Sequence, residues 1–172
     1  MRKLSLEDLS RQAVIAALYV VATLSLPSAA FGPIQFRYSE ILNLLAFYNP
    51  INAIGVTLGV FISNFWSTLG AADLIFGTLH TAIALYFVGK SKNLWMASIW
   101  PTVFAFIIGF ELSVIANIPG GGFLLHTATV MASEFIIMTV IAVPVFKLLQ
   151  KNEAFLKSIG SYRHYLETNK NL

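Results

Sequence analysis

The chain has 172 residues, 57% of them apolar and only 11% charged, with a mean hydropathy of +0.75 and a formal net charge of +3. A soluble domain carries about 25% charged residues, and one water-exposed globule of this length cannot hide so much apolar surface. That excludes an ordinary soluble enzyme, a disordered chain and a basic nucleic-acid binder. The lack of cysteine excludes a disulfide framework, a thiolate metal site and an iron–sulfur cluster.

The composition predicts an all-α, multi-pass protein of the cell membrane, a single domain over residues 1–172. Ser5 and Asp8 have capping-box spacing, so the first helix starts on the amphipathic Leu4, Leu6, Leu9 stretch and crosses the bilayer over 9–26. Glu7, Asp8 and Arg11 interrupt that stretch, which reads as a helix and not as a cleaved secretory signal. Ala13 and Ala17 stand four apart beside Ala16, a small-residue face that lets another helix approach closely. Pro27 and Gly32-Pro33 end the first span. The further spans are expected at 38–48 (the shortest), 51–69, 72–89, 94–117 and 123–147, separated by Asn49-Pro50, Gly70, the Gly89–Lys92 turn and Pro119-Gly120-Gly121-Gly122. Pro144 should kink the last of them by removing a backbone hydrogen bond. Residues 150–172 read as a polar cytoplasmic tail with a short helix.

Charge fixes the count and the sidedness. Between Arg11 and Lys90, 78 residues carry only Arg37, Glu40 and Asp73, and at about 20 residues per span this stretch holds roughly four crossings. The 54 residues from Asn93 to Phe146 hold two more. Six transmembrane helices put both termini, the Lys90–Lys92 loop and ten of the eleven basic residues (Arg2, Lys3, Arg11, Lys90, Lys92, Lys147, Lys151, Lys157, Arg163, Lys170) on the cytoplasmic side. Arg37 alone lies outside.

Four of the eight acidic residues, Glu40, Asp73, Glu111 and Glu134, fall within or at the ends of these spans. In the six-span topology all four occupy the outer half of the bilayer with Arg37. Charges at such depth cost a few kcal/mol each and normally face the bundle interior or a wet cavity. Four acids against one base leave negative charge to be met by protons or by a bound cation. Asp73, Gly77 and His80 share a helical face, as do Trp100, Phe104 and Glu111 on the fifth span and Phe123 and Glu134 on the sixth. A pocket lined by acids and aromatics suits a flat, nitrogen-rich, cationic molecule, with carboxylates accepting N–H donors and rings stacking on its faces. Asn64 and Trp66 are weaker candidates of the same kind. His80 and His126 are read as helix–helix hydrogen-bonding groups. No P-loop, dinucleotide fingerprint, zinc-protease helix, nucleophile elbow or metal-ligand spacing is present. A pocket without an energy-coupling motif reads as a non-enzymatic binding subunit powered by partners. The alternative is a self-contained ion-coupled transporter for another small cationic or heterocyclic nutrient.

The segment Ile34-Gln35-Phe36-Arg37-Tyr38-Ser39-Glu40-Ile41-Leu42-Asn43, the stretch from Leu58-Gly59 to Asn64, and Leu69-Gly70-Ala71-Ala72-Asp73-Leu74-Ile75-Phe76-Gly77-Thr78-Leu79 resemble the QueT family over essentially the whole chain. These are substrate-binding S components of energy-coupling factor (ECF) transporters for queuosine precursors. The resemblance implies capture of a 7-deazaguanine, preQ1 or queuine, from outside. It also implies docking of Ala13 and Ala17 on a transmembrane coupling subunit, and energy from ATP used by two cytoplasmic ATPases, with no cofactor in this chain. Glu40, Glu111 and Glu134 would divide the guanine-like edge and the cationic aminomethyl group between them, with Asp73 in support. Arg37 would either orient Glu40 or donate to the carbonyl oxygen of the base. Residues 27–35 and 117–122 would act as lids, and transport would follow from reorientation of the whole subunit.

Overall fold

The structure, a computed structural model, describes residues 4–32 and 34–161. Arg2, Lys3, Pro33, Arg163, Glu167, Lys170 and the tail from residue 162 onward lie outside the described residues. Every described element is helical: α1 (Leu6–Ser25), the single turn α2 (Pro27–Ala30), a 3-10 helix (Tyr38–Leu44) running into α3 (Leu45–Tyr48), α4 (Asn52–Ser63) extended by a 3-10 turn (Asn64–Trp66), α5 (Ala71–Lys90), α6 (Leu94–Ile115), α7 (Gly122–Leu149) and α8 (Glu153–Ser158).

Many polar side chains are buried beside an apolar core, while many large apolar ones face outward. Leu124, Ile75 and Val140 are exposed while Asp73, Glu111, Asn43 and Asn64 are fully buried. In water that arrangement would be costly twice over, whereas in lipid the outer side chains are already in their preferred medium and only the polar groups need partners. α5, α6 and α7 are long and apolar enough to cross a bilayer, and α4 with its 3-10 turn is apolar but shorter.

The ends of the helices are set by local chemistry. Ser5 and Asp8 form the reciprocal capping box at the start of α1, and Asn93 and Asn152 cap α6 and α8 by accepting from Met96 N and Phe155 N. Arg11 donates to Ser158 O, and Asn49 and Asn52 donate to Gly160 O and Ile159 O, so the segment after α7 is tied to α1 and to the α3–α4 turn.

The segment expected to form the second span departs from a membrane helix. Residues 38–44 wind as a 3-10 helix before one α-turn, and at about 2.0 and 1.5 Å per residue they reach roughly 20 Å, short of a 30 Å hydrocarbon core. Asn43 through Asn49 are all buried, so this element lies inside a shell made by the longer helices. α1 packs on α4 along a pair of glycines. A Cβ on Gly55 would stand 2.7 Å from Gln12 O, and one on Gly59 would stand 2.6 Å from Tyr19 Cβ. Gln12 seals the contact, donating to Asn52 Oδ1 and accepting from Gly55 N.

Both prolines inside long helices disturb the winding. Near Pro144 the helix opens into an eight-residue π stretch, Phe135–Ala142, which accommodates the missing N–H in a wider turn. Around Pro101, Ala105 N donates to Thr102 O three residues back, and the carbonyl of Pro101 is left to accept from His80 Nε2 at 3.0 Å. α6 then finishes in a π stretch beginning at Glu111.

Candidate functional site

Gly32 and residues 34–40 are linked by a chain of tight turns. Gln35 N donates to Gly32 O, Arg37 N to Gln35 O, and Glu40 N to Arg37 O. Gln35 has φ of 52°, a left-handed conformation that a non-glycine residue adopts at a cost. The turns are held against α7 by Ser133 Oγ, which donates to Gln35 O at 3.1 Å. The effect is to swing the side chain of Arg37 inward at only 5% exposure.

There the Arg37 guanidinium donates to Asn64 Oδ1 at 3.2 Å, lies 3.9 Å from Asp73 Oδ2 and stands 5.2 Å from the centroid of Phe31. Asn64 in turn donates to Asp73 O at 2.7 Å, which ties the 3-10 turn after α4 to the first turn of α5. Gly77 makes this possible. A Cβ there would press on Asn64 Nδ2 at 2.7 Å and on Asp73 Oδ1 at 2.9 Å.

The structure brings Arg37, Glu40, Asp73, Glu111 and Glu134 into one buried group, but their partners differ. Glu40 is saturated: its two oxygens accept from Tyr19 Oη and Asn43 Nδ2. Both oxygens of Asp73, both of Glu111 and Oε2 of Glu134 are buried without a hydrogen-bond partner, as is Nε2 of Gln35. Arg37 is the shared cation. Asp73 and Glu40 act on its charge, while Glu111 has Asp73 as its acidic neighbour and Glu134 has Glu40. A cavity of about 10 Å³, room for about one water, opens among Gln35, Arg37, Glu40, Gly77, His80, Thr81, Ile108, Val130 and Glu134. Among the described residues no group of three or more histidines and carboxylates is arranged to hold a metal ion. The arrangement can accept hydrogen bonds and positive charge from a small polar guest.

Trp100 is not part of this group. Its indole donates to Ser91 Oγ at 3.0 Å near the α5–α6 turn, and its ring packs with Phe87 and Phe104. Phe123 is exposed at the start of α7 and Glu134 is buried. The break at Ala105 and the π winding at Glu111 shift the helical register on which the fifth-span face was counted. The aromatic side chains at the group are instead Tyr19, from α1, which bonds to Glu40, and Phe31, from the turn after α2, which lies against Arg37. Gln35, Tyr19 and Asn43 join this group in the structure and were not named from the sequence as candidates. Asn43 stands three residues after Glu40 in the sequence, whereas nothing local marks Tyr19. His80 and His126 do make helix–helix bonds, to Pro101 O and to Ser113 Oγ. Ala13 and Ala17 are both exposed on α1, and Ala16 is buried against α4.

A family model described as "QueT transporter" matches residues 9–151 of the chain. A curated relative from Lactococcus lactis subsp. cremoris (strain MG1363), named "Queuosine precursor transporter QueT", is 36% identical over 152 residues, covering 78% of this chain and 88% of the relative. No solved structure matches the chain.

Proposed function

Because the chain belongs to the QueT transporter family, we propose that it is the substrate-binding S component of an ECF importer, which captures a queuosine precursor of the 7-deazaguanine type from outside the cell. The observation that carries this reading is the group of buried, unpartnered carboxylate oxygens on Asp73, Glu111 and Glu134 around a single arginine. A 7-deazaguanine offers adjacent N–H donors on its guanine-like edge, and preQ1 adds an ammonium. Glu134 and Gln35 line the cavity and meet one set of donors, and Glu111 with Asp73 meets another. Glu40, already holding two protein donors, positions the turn that carries Arg37.

Such a guest is many times larger than the space for one water, so it enters as residues 27–35 lift from α7. The Ser133–Gln35 bond is the latch of that lid, and residues 117–122 form its counterpart. In this reading the chain passes from face to face six times, the second time through the buried 38–48 segment inside the bundle, with both termini in the cytoplasm and the site toward the outer face. Ala13 and Ala17 dock on the coupling subunit, and two ATPases supply the energy.

Binding and uptake separate the readings. Purified protein without ATP should bind preQ1 or queuine one-to-one in calorimetry, and proteoliposomes should take the compound up only when the coupling subunit and ATPases are included. Uptake by this chain alone would establish a self-contained ion-coupled transporter instead.

A further inference from the structure

A cavity of about 630 Å³ lies where α6 begins and α7 ends. It is far from the acidic group, since Lys147 follows Glu134 by 13 residues on α7, roughly 20 Å along a helix. Lys92, Lys147 and Lys151 line it, together with Asn93, Gln150 and Trp95, and the described residues of its lining include no carboxylate. Among the described residues none of the three lysines is in an ion pair. Lys147 Nζ instead lies 4.7 Å from the centroid of the Trp95 ring. The two carboxamides add donors, because each oxygen is already engaged: Asn93 Oδ1 accepts from Met96 N and Gln150 Oε1 accepts from Tyr48 Oη. Their NH2 groups remain to face a guest beside three ammonium groups. A concave wall made of donors and positive charge matches an anion with several acceptor oxygens, which is the chemistry of phosphate.

The flanks of the cavity choose between a free anion and a lipid. Met96 beside Trp95, and Leu148 and Leu149 beside Lys147, are exposed, an apolar surface for acyl chains next to a polar recess for a headgroup. Basic recesses between membrane helices at the cytoplasmic face have this character. We propose that the cavity binds the phosphate of an anionic phospholipid, with Lys92, Lys147 and Lys151 as its charged contacts. The site stands apart from the substrate group and is independent of what the chain transports.

Native mass spectrometry of the full chain, with added dioleoylphosphatidylglycerol or dioleoylphosphatidylcholine, tests this. The chain should retain phosphatidylglycerol in preference to phosphatidylcholine. A variant carrying Lys92→Gln, Lys147→Gln and Lys151→Gln should lose that affinity by about a hundredfold, roughly fivefold per lysine. A control with Lys90→Gln and Lys157→Gln, which removes charge outside the cavity, should keep it. An unchanged melting temperature in the triple variant, read in detergent, establishes that the loss is local. Equal retention of the two lipids, or undiminished retention by the triple variant, would overturn the proposal. Displacement of the lipid by millimolar inorganic phosphate would assign the recess to the free anion and overturn the lipid as its ligand.

Discussion

The Arg37 guanidinium and the Asp73 carboxylate stand 3.9 Å apart, buried, with Asn64 accepting from Arg37 and donating to the backbone oxygen of Asp73, and neither carboxylate oxygen of Asp73 holding a hydrogen bond. The pair attracts without being closed. Among the described residues Arg37 is nonetheless the only cation acting on four buried acids, so its removal should be felt by the whole fold. Arg37→Gln should cost about 3–5 kcal/mol, the penalty for leaving a buried charge without its partner. Thermal unfolding in detergent, followed by circular dichroism, checks this, and an unshifted melting temperature would show that the acids do not depend on Arg37.

The unpartnered acids should matter for binding more than for stability. Glu111→Gln and Glu134→Gln are each expected to weaken 7-deazaguanine binding by about 1.5–3 kcal/mol, the worth of a hydrogen bond to a charged group. Trp100→Phe should leave the affinity unchanged, because that indole bonds to Ser91 and packs on Phe87. Calorimetry on the three variants distinguishes a site around Arg37 from one that extends down α6.

Ser133→Ala removes the bond to Gln35 O that holds residues 34–40 on α7. The expected result is a faster off-rate, with a loss of about 0.5–1.5 kcal/mol in affinity and little change in melting temperature. Stopped-flow release of a fluorescent or isotopically labelled precursor reads the rate directly. An off-rate equal to that of the unmodified chain would rule out this turn as the lid.

Two glycines should respond differently to alanine. Gly59→Ala drives a methyl group into Tyr19 Cβ and the Ala16 carbonyl, neither of which is the tip of a flexible side chain, and overpacking of that kind costs about 1–3 kcal/mol of stability. Gly77→Ala meets the ends of Asn64 and Asp73. Those side chains can move, so affinity should fall while the melting temperature falls less. Parallel melting and binding curves on the two variants separate the effects.

With no native cysteine, sidedness is open to a direct check. A cysteine replacing the exposed Pro119 should react with an impermeant thiol reagent applied to intact cells. One replacing the exposed Lys92 should react only after the membrane is opened. The reverse pattern would invert the topology.

Helix positions were legible because lipid-facing helices are uniformly apolar and end at Gly, Pro and Asn. The ends of α5 and α7 fall within one or two residues of those read from the sequence. The 3-10 winding at 38–44 was not legible: a short apolar run bounded by Arg37 and Asn49-Pro50 looks the same whether it faces lipid or the interior. The clustering of Arg37 with the four acids followed from charge being scarce and expensive in a membrane, which leaves few places to put it. Trp100 was placed by counting a regular helix to Glu111, and that count fails where Ala105 interrupts α6, whereas Phe123 shares the regular stretch Gly122–Glu134 with Glu134 but stands at its exposed first turn. Tyr19 escaped notice because a tyrosine in an apolar helix has no local signature, and its partner Glu40 stands 21 positions away.

Pro101 has an effect well beyond its own helix. Since a carbonyl can only accept, its bond to His80 Nε2 places the imidazole hydrogen on that nitrogen and leaves Nδ1 with a bare lone pair. His80 lines the same recess as Glu40 and Glu134. Glu134 and that imidazole nitrogen give the wall acceptors, while Nη2 of Arg37 and Nε2 of Gln35, both buried without a hydrogen-bond partner, give it donors, so it sorts solutes by where their protons sit: a heterocycle edge that alternates donors with acceptors fits, and one that carries a single kind meets half of the wall unmatched.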